Sequence, residues 1–288
     1  MTARLGRVLA TLALAFASAS SVSAQERAWT PLPSPVSRTC PQGLCQADAL
    51  APLFRGLDGR WVGHVRIVQF GDSHTAAGWI TAAVERRLRA RFPTRTIDWT
   101  PVGVSGATLA LLPDQRLPIA DAYPDLIVIA YGTNEGFDDA LDLGTYEALL
   151  AAQIRRFRME APAAAILILG APEAMRGEGG GTCSGDVEGR WREPAMLSAV
   201  REVQYRTAAR MNVAFWDWRG RMGGDCSADR LTRAGAWGDP LMREDHVHFN
   251  EAGADWLGGL LYDDLMTAGR AWYARNPQAQ GPARTGGR

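Results

Sequence analysis

The sequence predicts an α/β fold in which helices cover both faces of a parallel sheet. Short apolar segments alternate with longer segments whose apolar residues recur every three or four positions, as in strands joined by helices. The segment 126–130 is apolar at every position, which is typical of a strand buried on both faces. Strands connected in this way run parallel through right-handed crossovers.

The elements follow one another in a regular order. We expect strands at 65–70, 96–100, 125–131, 164–170 and 213–218, and helices at 79–92, 145–160, 195–211 and 251–268. In the second helix, for example, Tyr146, Leu150, Ile154 and Phe157 fall on one face. Ligands of such sheets bind at the carboxyl ends of the strands, so the loops that leave the strands are the expected place for chemistry.

Length and composition restrict the function. The chain has 288 residues, 47% hydrophobic and 22% charged, which is typical of a globular protein with one sizeable core. Its formal net charge is zero, so no electrostatic argument favours a nucleic acid partner or an anionic membrane. All basic residues other than histidine are arginine. The absence of lysine excludes a P-loop ATPase, a lysine Schiff base and a Ser-Lys dyad.

The first 24 residues have the three parts of a secretory signal peptide: Arg4 and Arg7, an apolar run over 8–17, and small residues up to Ala24. We expect cleavage before Gln25 and a periplasmic or secreted mature protein. A retained membrane anchor is disfavoured because the apolar run is too short to span a bilayer.

The rest of the chain divides by composition. Residues 25–48 are rich in Pro and Ser and are expected to form an extended lead-in, and residues 49–274 form the expected globular domain. Residues 275–288 are rich in Gly, Pro and Gln and are expected to be disordered. No segment of the mature chain is apolar enough to span a membrane, and the sequence leaves the oligomeric state open.

Four cysteines follow the signal peptide, at positions 40, 45, 183 and 226. In an oxidising compartment an even number suggests two disulfides, for which three connectivities are possible. We favour Cys40–Cys45 because the pair is local, and Cys183–Cys226 because each flanks a Gly-rich segment. A zinc site is the disfavoured alternative, since no histidine lies near any of these cysteines in the sequence.

Polar motifs lie at the predicted loops. They are Gly71-Asp72-Ser73-His74 after the first strand, Gly103-Val104-Ser105-Gly106 after the second, Gly132-Thr133-Asn134-Glu135 after the third, and Asp245-His246-Val247-His248 before the last helix. Ser73 stands between a strand and a helix, where backbone N–H groups and the helix dipole favour developing negative charge. It is therefore the candidate nucleophile.

A serine hydroxyl needs a base to take its proton. Of the four histidines, His74 adjoins the serine and is expected to point elsewhere, and His64 lies at the opposite end of the first strand. We prefer His248 to His246, because Asp245 stands three residues before His248 and can accept a hydrogen bond from its ring.

Attack on an ester carbonyl creates an oxyanion that needs hydrogen-bond donors. The N–H groups of Ser73 and Gly106 and the side-chain amide of Asn134 are the candidates, with Asp72 and Glu135 as supporting residues. The alternative roles are structural: Ser73 or Asn134 could cap a helix, and Gly106 could serve a plain turn.

Three other features remain open. Trp216 and Trp218 could form a wall on which a sugar stacks, although core packing is favoured. His246 and His248 could bind a metal ion, but the sequence supplies no further ligands beside them. The segment 177–181 is a glycine-rich connection or a lid over the strand ends.

These motifs resemble those of the SGNH (GDSL-like) hydrolase superfamily. The superfamily's four named positions match Ser73, Gly106, Asn134 and His248, with Asp245 in an Asp-x-x-His arrangement, and the resemblance spans 65–266. It implies a flavodoxin-like three-layer α/β/α fold with a five-stranded parallel sheet. It also implies an esterase or lipase that works by a Ser-His-Asp mechanism without a metal ion or cofactor.

Gly-Asp-Ser-His-Thr with Gly-Thr-Asn-Glu and an export signal looks most like bacterial envelope O-acetylesterases, such as those acting on O-acetylated peptidoglycan. The expected substrate is therefore an acylated carbohydrate or another small ester. The short span between Ser73 and Gly106 leaves no room for the carbohydrate-binding module inserted in some of those enzymes. An O-acyltransferase on envelope glycans, a lipase or thioesterase of the same fold, and a non-catalytic glycan-binding protein are the alternatives.

Overall fold

A six-stranded sheet with helices on both faces forms the centre of the protein, as seen in a computed structural model. The structure describes residues 40, 43–58, 63–114, 119–183, 186, 188–233 and 239–279. The predicted signal peptide, the lead-in up to residue 39 and the tail from residue 280 lie outside the described residues. Within the described part, no helix is long and apolar enough to cross a membrane.

The strands have the spatial order β1-β6-β5-β4-β2-β3. Their bounds are β1 Leu44–Cys45, β2 Gly63–Gly71, β3 Arg95–Gly103, β4 Leu126–Ala130, β5 Ala165–Leu169 and β6 Ala214–Trp216. Neighbouring strands from β3 through β2, β4 and β5 to β6 pair in parallel, so the predicted class of fold is confirmed. The short strand β1 pairs antiparallel with β6 and was not predicted.

The helices form a layer on each face of the sheet. Their bounds are α1 Ala51–Gly56, α2 Ser73–Ala77, α3 Trp79–Arg91, α4 Ile119–Ala122, α5 Thr133–Gly136, α6 Leu143–Glu160, α7 Ala195–Met211, α8 Trp218–Met222, α9 Ser227–Thr232 and α10 Glu251–Arg275. One layer contains α1, α3 and α10, and the other contains α6 and α7. Short 3₁₀ turns occur at 47–50, 109–114 and 277–279.

Alternate residues of the central strands fill two separate cores. In β2, Val65 and Ile67 join the core under α3 and α10, whereas Val68 and Phe70 join the core under α6 and α7. Successive strand side chains point to opposite faces, and both faces here are covered. This explains why β4 is apolar at every position and why β2 has buried apolar residues on both of its faces.

The ordered fold begins earlier than the predicted start at 49. The expectation of an unpacked lead-in up to 48 is wrong at its end, since Leu44 is buried and pairs with Trp216 in the sheet. A disulfide joins Cys40 to Cys45 across this segment, and another joins Cys183 to Cys226, so both favoured pairs are bonded in the structure. The buried Leu44 side chain and the local disulfide hold β1 in place. The strand is too short to show an alternating apolar pattern in the sequence, which is why it was not predicted.

The last helix is longer than predicted. It continues to Arg275, and a 3₁₀ turn follows at 277–279, so the expected disordered tail is wrong for 275–279. Trp272 is buried against Phe54 with ring centroids 6.0 Å apart, and the Tyr273 hydroxyl donates to the Phe54 carbonyl oxygen at 2.6 Å. These contacts with α1 stabilise the final turns of α10.

The strand order brings the carboxyl ends of β2, β3 and β4 close together. β2 lies between β3 and β4, so the chain leaves β2 towards one side and crosses later to the other. The loops after these three strands meet at the carboxyl edge, where the order reverses. The segments that carry Ser73, Gly106 and Asn134 are those loops.

Candidate active site

Ser73 is the first residue of α2, directly after the turn that ends β2. The turn is tight, because a Cβ at Gly71 would lie 2.1 Å from Oγ1 of Thr75. Asp72 caps the helix, and its Oδ1 accepts the N–H of His74 at 3.0 Å. The alternative in which Ser73 serves as the cap is therefore wrong, and its hydroxyl is available for chemistry.

A chain of hydrogen bonds connects Ser73 to a carboxylate. Oγ of Ser73 lies 2.8 Å from Nε2 of His248, and Nδ1 of His248 lies 2.9 Å from Oδ2 of Asp245. The other oxygen of Asp245 accepts the backbone N–H groups of Val247 and His248, each at 2.9 Å. The structure thus brings the three predicted residues together although 175 positions separate Ser73 from His248.

The electrostatics of these hydrogen bonds suit His248 to act as a general base. Burial raises the pKa of Asp245, but hydrogen bonds from His248 and Val247 outweigh burial, and its pKa is lowered overall. Asp245 is therefore ionised at neutral pH and keeps the proton of His248 on Nδ1. That tautomer leaves Nε2 free to accept the proton of the Ser73 hydroxyl.

Hydrogen-bond donors lie beside the serine. Gly106 and Asn134 line the same cleft as Ser73. Within the described residues, the N–H groups of Ser73 and Gly106 have no acceptor. Nδ2 of Asn134 donates one proton to the Ala107 carbonyl oxygen at 2.8 Å, which leaves its second proton for a ligand. Gly106 has φ of 76°, in the left-handed region that favours glycine.

Glu135 holds the loop that carries Gly106. Its Oε1 accepts the N–H of Leu109 at 2.6 Å, and the residue is only 2% exposed. Burial raises the pKa of Glu135 to about 7, because the backbone hydrogen bond from Leu109 only partly offsets the loss of hydration. The supporting role predicted for Glu135 takes the form of this hydrogen bond.

A second carboxylate–histidine pair lies beneath the site. His74 Nδ1 lies 3.2 Å from Oδ1 of Asp72, and Nε2 lies 3.0 Å from the Val247 carbonyl oxygen. Both partners are acceptors, so both contacts are hydrogen bonds only when the His74 ring carries two protons. Burial lowers the pKa of His74, but the charge of Asp72 and the hydrogen bonds outweigh it, and the pKa is raised overall.

This pair supports the loop of the base. The Val247 carbonyl that His74 binds belongs to the residue before His248, and the two imidazole rings lie 5.3 Å apart at their centroids. From the sequence, His74 is expected to point away from the site because it adjoins Ser73. The structure shows that its ring turns towards the other side of the site and contacts the loop that the sequence places far away.

The remaining histidines lie outside this arrangement. His246 stacks on Trp191 with ring centroids 3.8 Å apart, and its Nε2 lies 3.6 Å from Asp229. It therefore faces away from the partners of His248, and the two rings do not converge on a metal ion. In the part of the chain that the structure describes, no group of three or more His, Cys, Asp or Glu residues could hold a metal ion.

The cleft above Ser73 has a volume of about 550 Å³. Trp79 and Arg243, which the sequence analysis did not identify, line it together with the predicted residues. Trp216 and Trp218 are buried, so the favoured interpretation of core packing is confirmed. The glycine-rich segment 177–181 pairs through its backbone with 189–190.

The fold and the site together define a class of protein. A serine, a histidine and a carboxylate joined in series at the carboxyl edge of a parallel sheet, with spare N–H donors beside the serine, form the arrangement of a serine hydrolase.

Comparison with known proteins assigns the family. The model of the GDSL-like lipase/acylhydrolase family matches residues 69–256. The chain therefore belongs to this family of carboxylic ester hydrolases, and the resemblance to the SGNH superfamily is confirmed. A search of the curated proteins found no significant match.

Solved structures share the fold at low sequence identity. A peptidoglycan O-acetylesterase is 20% identical with a TM-score of 0.66, and the match covers 78% of this chain and 96% of that one. An acetylxylan esterase from Geobacillus stearothermophilus is 18% identical with a TM-score of 0.53, covering 71% and 95%. A lipase/acylhydrolase from Enterococcus faecalis is 20% identical with a TM-score of 0.51, covering 72% and 96%.

Proposed function

We propose that this protein is a serine esterase that removes short acyl groups, acetyl above all, from carbohydrate of the cell envelope such as peptidoglycan. The observation that carries the proposal is the continuous chain of hydrogen bonds from the Ser73 hydroxyl through His248 to Asp245. Its position beside two free backbone N–H groups and the Asn134 amide supports an acyl-transfer reaction over simple binding.

The first half of the reaction forms an acyl-enzyme. Nε2 of His248 takes the proton of Ser73 as Oγ attacks the ester carbonyl carbon, and the carbonyl π electrons move onto its oxygen. The N–H groups of Ser73 and Gly106 and the Asn134 amide stabilise that oxyanion. When the tetrahedral intermediate collapses, the bond to the sugar oxygen breaks, and the imidazolium of His248 returns its proton to that oxygen.

The second half releases the acid. His248 takes a proton from water, and the hydroxide equivalent attacks the carbonyl carbon of the acylated Ser73. Collapse breaks the bond to Oγ, which recovers its proton from His248, and the carboxylic acid leaves. The anionic Asp245 stabilises the imidazolium in both halves, which is consistent with its lowered pKa.

The apolar part of the cleft combines three small side chains, Ala76, Ala77 and Ala254, with the larger Trp79, Ile80 and Phe249. It offers apolar contact to the acyl group of a bound ester. The structural similarity to a peptidoglycan O-acetylesterase and an acetylxylan esterase supports acetyl as the group removed.

The pattern of residues 1–24 supports a site of action outside the cytoplasm. The pattern of a secretory signal peptide at 1–24 supports export, and two disulfides fit an oxidising compartment. We therefore assign the enzyme to the periplasm or the exterior of the cell, where acylated envelope glycans are accessible.

The proposal is tested by measuring acetate released from O-acetylated peptidoglycan. Ser73→Ala should lower turnover by about 10⁴-fold or more, because the nucleophile is lost. Ser198→Ala removes an exposed serine of α7 and serves as the matched control. Unchanged acetate release by the Ser73 variant would contradict the proposed mechanism, and release from simple acetyl esters but from no glycan would contradict the proposed substrate.

A further inference from the structure

Arg243 is held at a fixed position beside the catalytic base. Its backbone N–H donates to the His248 carbonyl oxygen at 2.8 Å, and its own carbonyl accepts from the Thr232 hydroxyl at 3.2 Å. These two bonds close the base of the loop that presents Asp245 and His248. The exposed guanidinium of Arg243 then lines the cleft that contains Ser73.

Trp79 stands on the opposite element and meets this guanidinium. It is the first residue of α3, is 37% exposed, and lines the same cleft. Cζ of Arg243 lies 5.5 Å from the centroid of the Trp79 ring, within the range of a cation–π contact. An exposed aromatic ring and a guanidinium group are therefore in contact at the rim of the site.

The charge of Arg243 has no carboxylate partner among the described residues. Asp245 is engaged by His248, and Asp72 is buried against His74. Several other arginines are ion-paired, such as Arg201 with Glu193 and Arg206 with Glu147, and in those the charge is already compensated within the chain. An arginine on an aromatic ring beside the nucleophile, with its charge uncompensated, is arranged to meet an anion from outside the chain.

We propose that Trp79 and Arg243 form a subsite for a sugar that carries a carboxylate close to its acyl ester. This inference rests on the proposed esterase function and narrows its substrate to acidic acylated sugars. The planar guanidinium matches a carboxylate through two parallel N–H bonds, and the exposed part of the Trp79 ring offers apolar surface to the sugar ring.

The test compares two substrates that differ only in charge. One is a glycoside of 6-O-acetyl-N-acetylmuramic acid with its lactyl carboxylate free, and the other is the same compound with that carboxylate converted to the primary amide. We expect the wild-type enzyme to have a kcat/KM about tenfold higher for the acid, the range of a charge-assisted hydrogen bond. High salt, roughly 1 M, should reduce this preference by screening.

Variants assign the preference to this residue. Arg243→Gln should bring the ratio of the two kcat/KM values to about one, and Arg243→Lys should retain part of it because the charge remains. The control is Arg91→Gln, which removes the same charge from the exposed far end of α3 and should keep the wild-type ratio. Because a ratio is measured, a general loss of activity does not affect the result.

The possible outcomes distinguish failure of the proposed subsite from failure of the proposed esterase function. Equal kcat/KM for acid and amide in the wild type, or an unchanged ratio in Arg243→Gln, would overturn the subsite and leave the esterase standing. Hydrolysis of neither compound by the wild type, while Ser73-dependent cleavage of p-nitrophenyl acetate persists, would overturn the glycan substrate and the subsite with it. No Ser73-dependent cleavage of any ester would overturn the function itself.

Discussion

Replacing Glu135 by Gln should remove a pH dependence from the stability of the fold. The wild-type carboxyl is 2% exposed, and burial raises its pKa from 4.5 to about 7. The folded state therefore binds the Glu135 proton more tightly than the unfolded state does. Its contribution to stability is fully present below pH 4.5, falls as pH rises, and is lost above about pH 7.

The size of this effect follows from the two pKa values. A difference of about 2.5 pKa units, at about 1.36 kcal/mol each, corresponds to about 3 kcal/mol of unfolding free energy between the two limits. Most of this change, about 2.5 kcal/mol, falls between about pH 5 and about pH 8. Glutamine at 135 can still accept the hydrogen bond from the Leu109 N–H but does not titrate. The Glu135→Gln variant therefore does not lose this part of its unfolding free energy as pH rises.

Urea unfolding of both proteins at several pH values measures the effect. The unfolding free energy of Glu135→Gln minus that of the wild type should rise by about 2.5 kcal/mol from about pH 5 to about pH 8. Taking this difference cancels the histidines and other groups common to both proteins. Glu188→Gln removes an exposed glutamate and should show no such rise. A pH-independent difference for the Glu135 variant would refute the argument.

Three further predictions concern the site and the fold. Asn134→Ala should lower kcat on p-nitrophenyl acetate by about 10²-fold or more, because an oxyanion donor is lost. In an NMR titration, His74 should show a pKa above 6.5, and Asp72→Asn should lower it, because the carboxylate favours the imidazolium. Replacing Cys183 and Cys226 together by Ala should lower the unfolding free energy by about 2–4 kcal/mol, as measured with urea.

Each of these three predictions has a result that would contradict it. A kcat within about twofold of wild type in Asn134→Ala would exclude its amide from the oxyanion site. Coincident titrations of His74 in wild type and Asp72→Asn would show that the buried pair does not set its charge. An unchanged urea midpoint in the cysteine variant would show that the bridge does not contribute to stability.

The sheet and the triad could be predicted because their signals are local. The β2 segment has apolar residues at 65, 67, 68 and 70 and leads into Gly71-Asp72-Ser73, so strand, turn and nucleophile lie within one short window. Asp245 precedes His248 by three positions, and this short separation along the chain lets the Asp245 carboxylate accept a hydrogen bond from the His248 ring. The location of the site at the carboxyl ends of the strands then follows from the general topology of parallel sheets.

The missed features depend on contacts between distant parts of the chain. Strand β1 has two residues and forms only because β6 offers an edge. The role of His74 depends on the Val247 carbonyl, which lies 173 positions away, and the pairing of Trp79 with Arg243 joins the start of α3 to the loop before α10. The pKa of Glu135 reflects its burial, which no residue pattern encodes.

The identity of the nucleophile is tested most directly by labelling the wild-type protein with a fluorophosphonate and mapping the modified peptide by mass spectrometry. We expect one adduct in the wild type, on Ser73. In His248→Ala this adduct should form slowly, because the base that activates the hydroxyl is missing. An adduct on any other serine, or no adduct in a protein that hydrolyses esters, would contradict the assignment of Ser73 as the nucleophile.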